Sequence, residues 1–86
     1  MNIHAGYLQD LGVLLRERAV EARQQAAAVR SDPSPDAAFD VGYWQAYWEV
    51  LSLMVNQAVS FELPLQDIGL AGWDPDRELV PPSPPV

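Results

Sequence analysis

Five of the ten residues from Phe39 to Trp48 are aromatic: Phe39, Tyr43, Trp44, Tyr47 and Trp48. They open a segment, running on to Leu63, that carries more apolar surface than one neighbouring helix covers. Its polar residues, Gln45, Glu49, Ser52, Asn56 and Ser60, recur at steps of three and four and make one narrow helical stripe. One apolar face follows the same steps through Trp44, Tyr47, Leu51, Met54, Ala58 and Phe61, with Trp48 and Val55 on its far flank. A second face carries Tyr43, Ala46, Val50 and Leu53. A helix apolar around most of its circumference is normally buried on several sides.

The same periodicity predicts an earlier helix over about residues 5–30. Leu8, Leu11, Leu15, Ala19, Ala22, Ala26 and Val29 share one face, and the alanine-rich half is shallow enough to let a neighbour come close. Gly12 reads as a mild weakness in this helix. Pro33 and Pro35 break the run. Ser34-Pro35-Asp36 then reads as an N-cap, a proline in the first turn and an acid at the positive helix end. The second helix is expected over about 35–63, where Pro64 restricts the residue before it. Two long helices on a short connection make an antiparallel hairpin.

The predicted fold is therefore all-α: one helical domain over residues 1–80, followed by a Pro-rich, extended tail at 81–86. Residues 64–80 form a short irregular or helical segment. It holds a helical turn before Gly69 and a cap at Asp74-Pro75-Asp76, with Leu65, Ile68, Leu70, Trp73, Leu79 and Val80 able to dock on the hairpin. Helix one covers only one face of helix two, so a homodimer in which two hairpins close a four-helix bundle is expected, unless residues 65–80 cover the second face instead. Its interface would draw on Tyr43, Trp44, Tyr47, Val50, Leu51, Met54 and Phe61.

At 86 residues with no cysteine, the chain has neither a disulfide framework nor a thiolate, which leaves association as the expected staple. No apolar stretch reaches the roughly 20 residues needed to span a bilayer, and the start of the sequence does not read as a secretory signal, so a cytoplasmic location is expected. The net charge of −7 is uneven. Three acids face four arginines up to Arg30, whereas nine acids face Arg77 alone after it. There is no lysine. Such a chain repels phosphate, and nucleic acid is not the expected partner.

No residue set points to catalysis. His4 is the only histidine and has no serine or orienting carboxylate near it in sequence. Asp74, Asp76 and Glu78 alternate like the start of a calcium loop but lack the glycine its sixth position needs. No cofactor or metal is expected. Glu17 and Glu21 read as a solvated pair. Arg16, Arg23 and Arg30 lie seven apart on one stripe, free for solvent or for pairing with Asp40 or Glu49. The functional expectation is a small, acidic, non-enzymatic protein that occupies a basic protein partner, in the manner of an immunity protein, antitoxin or regulatory inhibitor. Trp73, flanked by Asp74, Asp76 and Glu78, and Trp48 are the candidate partner-binding residues. A small-molecule binder using a Trp/Tyr pocket and an accessory subunit of a larger assembly are the alternatives.

Overall fold

The structure, a computed structural model, describes residues 2–29 and 34–81. Helix α1 spans Ile3–Ala28 and α2 spans Pro35–Ser60, packed side by side as a helical hairpin. A 3₁₀ turn at Leu65–Ile68 and the one-turn helix α3 at Pro75–Glu78 follow, and the described residues contain no strand. The expected Pro-rich tail lies outside the described residues beyond Pro81, as does the hairpin connection at 30–33.

Local chemistry explains the boundaries. Asn2 caps α1, its Oδ1 accepting from the His4 and Ala5 amides at 2.9 and 3.3 Å, so the helix starts before the expected residue 5. Ser34 caps α2 as expected, its Oγ accepting from the Ala37 amide at 3.2 Å. The far end of α2 differs from the expectation. The helix stops at Ser60, not Leu63, because a capping motif intervenes before Pro64 acts. The Glu62 amide donates to Val59 and the Leu63 amide to Ala58, with Glu62 in the left-handed region at φ 57°. This paired closure normally puts glycine where Glu62 stands.

The core is built from small residues on α1 against large ones on α2 and on the C-terminal segment. Ala19 meets Leu51, Ala58, Ile68, Leu70 and Leu79 in one cluster, and Ala22 and Ala26 meet Trp44 in a second. Leu51, Leu70 and Leu79 are fully buried. Each such side chain contributes about 1.5–3 kcal/mol when buried. Residues 65–80 thus lie along one side of the hairpin and close it.

Gly12 is what lets them do so. A Cβ there would run into the Ile68 carbonyl, and one at Gly69 would meet the Gln9 carbonyl and the Val13 amide. Two backbones touch at this crossing, and Gly69 also adopts φ 75°, open to glycine at little cost. Gly12 is therefore a packing requirement, not the mild helix weakness its position suggests.

Candidate functional site: the uncovered face of the hairpin

The C-terminal segment separates the two sides of the hairpin, and four polar contacts among the described residues hold it, one of them from the Gln9 side-chain amide to the Gln66 carbonyl at 3.2 Å. The Trp44 indole N–H donates to the Leu79 carbonyl at 2.8 Å, and the Trp48 indole N–H donates to Asp76 at 3.0 Å. The Arg23 guanidinium donates to the Val80 carbonyl at 2.7 Å. Arg23 thus binds backbone, which is neither the solvated edge nor the pairing with Asp40 or Glu49 that the sequence leaves open for the arginine stripe. Arg30 of that stripe is outside the described residues.

This arrangement reassigns several residues expected at a dimer interface. Leu51 is fully buried and Trp44 is 8 % exposed, both enclosed by α1 and the C-terminal segment. Neither is available to a second chain unless the fold opens. Met54 and Tyr47 are half-buried and pack on the edge of the core. The other three expected residues remain outside: Tyr43, Val50 and Phe61 are exposed, Phe61 at 72 %.

The residues expected to bind a partner lie on the closed side, and each has work within the chain. Trp73 is half-buried against the core cluster, which pins the segment to the hairpin. The Asp74 carboxylate accepts from the Asp76 amide at 2.9 Å and caps α3. Asp76 accepts from half-buried Trp48, and Glu78 pairs with Arg77 at 3.0 Å, the one ion pair among the described residues. The contacts of Asp74 and Glu78 stay within the α3 turn, whereas Asp76 is the acid that bonds the hairpin, so Asp76, Trp48 and Trp73 form the fold's own latch. Beside it, Arg23, Ala26, Val41, Trp44, Gln45 and Trp48 line an open groove of about 300 Å³ whose two indole donors are already satisfied.

The opposite side carries the apolar excess. Phe39 is 70 % exposed and Leu53 60 %, with Tyr43 and Val50 between them and Ala46 completing steps of four and three along α2. Phe39 stacks on Tyr43 at a centroid distance of 5.9 Å, and Tyr43 meets Tyr47 edge-on at 5.1 Å. The two tyrosine hydroxyls are 3.3 Å apart. That hydrogen bond, followed by burial, raises the Tyr47 phenol above its ordinary value. Across the seam, Arg18, Glu21, Ala22 and Gln25 of α1 border an open hollow of about 400 Å³ with Phe39, Asp40 and Tyr43. Tyr7 and Leu14 of α1 are exposed too.

A row of large, exposed apolar side chains on regular helices can bury surface against another protein. Among the described residues no three histidine, cysteine or acidic side chains converge as a metal site, and no helix is long and apolar enough to cross a membrane. The chain matches no family model, no curated protein and no solved structure.

Proposed function

We propose that this chain is a non-enzymatic protein-binding module that acts by occupying a protein partner through the uncovered face of the hairpin. The observation that carries this reading is the exposed stripe Phe39–Tyr43–Ala46–Val50–Leu53, which faces away from the C-terminal segment while the Trp44–Leu51 side of α2 is packed. Scattered surface apolar residues are ordinary, but a contiguous row on a rigid helix is the arrangement of helix-to-helix recognition. Inhibitors of the immunity or antitoxin type work by such occupation.

A second reading uses the same face. Its spacing of four and three is that of a coiled-coil seam, so two copies could close a four-helix bundle around it, without Trp44 and Leu51. Affinity capture from the native host tests the main reading. Wild-type protein should retain a partner that Leu53→Asp releases, while Glu17→Gln, on the closed side, retains it. Equal capture by Leu53→Asp would overturn the proposal. Sedimentation of the purified chain separates the two readings.

A further inference from the structure

The charges around the stripe say what kind of surface fits it. Helix α2 carries Asp36, Asp40 and Glu49 and no basic residue. Each acid stands three or four positions from a stripe residue: Asp36 from Phe39, Asp40 from Tyr43, Glu49 from Leu53. At those spacings side chains are neighbours on a helix surface. The apolar row is therefore edged by carboxylates on both flanks. On the α1 side of the seam Arg18 is accompanied by Glu21, so that rim adds no net positive charge.

We propose that the uncovered face takes an amphipathic helix whose apolar seam is edged by lysine or arginine. This rests on the reading of that face as a protein-binding surface and names its partner class. A second copy is the poorer occupant. Two α2 helices laid together bring six carboxylates to one seam, twice the three that a single α2 carries, with no base on either helix. Like charges across an interface disfavour the pairing, whereas basic edges turn the same groups into steering and register contacts. The stripe from Phe39 to Leu53 runs roughly 21 Å, room for about four helical turns of a ligand.

The test uses two synthetic helical peptides, each about three heptads long with the same leucine seam. One has lysine edges and the other glutamate edges. Binding to the full chain is followed by calorimetry. The lysine-edged peptide should bind about tenfold more tightly, since three exposed pairs each contribute at most a few-fold. That preference should fade in about 1 M salt, where the screening length falls to roughly 3 Å. It should also be lost in D36N/D40N/E49Q but kept in E17Q/D67N/E78Q, which removes as many charges from the other side of the molecule. Leu53→Asp should weaken both peptides, with its fold checked by circular dichroism. Equal binding of the two peptides, or equal loss of preference in both triple variants, overturns the proposal. So does a wild-type dimer that excess lysine-edged peptide fails to dissociate, an outcome that leaves the protein-binding reading of the face intact. If Leu53→Asp binds both peptides like wild type, both inferences fall.

Discussion

Replacing Gly12 with alanine pits two opposing effects of known size against each other. Within a helix, alanine is favoured over glycine by about 1 kcal/mol. Helix propensity alone therefore says that Gly12→Ala stabilises. At the crossing, however, the new Cβ meets the Ile68 carbonyl, which is backbone and cannot rotate away. Overpacking of this kind costs about 1–3 kcal/mol when the surroundings shift. If the 3₁₀ turn lifts off α1 instead, the burial of Ile68, Leu70 and Leu79 is at risk, at about 1.5–3 kcal/mol each as an upper bound. Set against the propensity gain, the first route leaves a net loss of about 0–2 kcal/mol and the second a larger one, so Gly12→Ala should destabilise, by about 1 kcal/mol if the turn stays in place. For a chain of this size that lowers the melting temperature by about 4–8 °C per kcal/mol. Gly6 and Gly42 provide internal controls, since both are helical and a Cβ on either meets nothing within 4 Å. Gly6→Ala and Gly42→Ala should each stabilise by about 0.5–1 kcal/mol. Thermal and urea unfolding of the three variants checks the sign. A Gly12→Ala protein as stable as the two controls would refute the backbone crossing.

Leu79→Ala should destabilise by about 2–5 kcal/mol in urea unfolding, because Leu79 is fully buried and sits in the latch; a loss below about 1 kcal/mol would contradict its burial. Glu62→Gly should gain about 0.5–1 kcal/mol, relieving the left-handed conformation and removing a carboxylate from the negative end of α2, and a loss would contradict that geometry. The raised Tyr47 phenol favours the neutral form in the fold, so its contribution is complete below the ordinary value of 10.0 and is lost as pH rises through the higher folded value. Tyr47→Phe should therefore flatten the alkaline decline in urea midpoint. An unchanged decline would place the Tyr47 hydroxyl away from Tyr43.

The hairpin was legible in the sequence because periodicity and caps report directly on helices. Ser34-Pro35-Asp36 and Asp74-Pro75-Asp76 mark helix starts by local hydrogen bonding, and both act as caps in the fold. The end of α2 was not legible. A glutamate in a left-handed cap carries none of the glycine signature, so Pro64 drew attention to the wrong stop. Gly12 was misleading for a related reason: its meaning depends on a backbone 56 positions along the chain, at Ile68. The interface residues divided along the same line. Spacing sorted the apolar positions of α2 into two faces, but only tertiary packing decides which face residues 65–80 cover. They cover the one holding Trp44 and Leu51 and leave Tyr43, Val50 and Leu53 outside. The acids around Trp73 looked like a binding patch in sequence, while Asp74 and Asp76 cap a helix and hold an indole.

Side-chain footprinting by hydroxyl radicals with mass-spectrometric readout tests the division of the hairpin into a closed and an open side most directly. At low micromolar protein, Phe39, Tyr43, Leu53 and Phe61 should be oxidised readily, and Trp44, Leu51, Leu70 and Leu79 should be protected. Oxidation of Trp44, Leu70 and Leu79 at rates like that of Phe39 would mean that the C-terminal segment does not close the hairpin. That result would contradict the account at its centre.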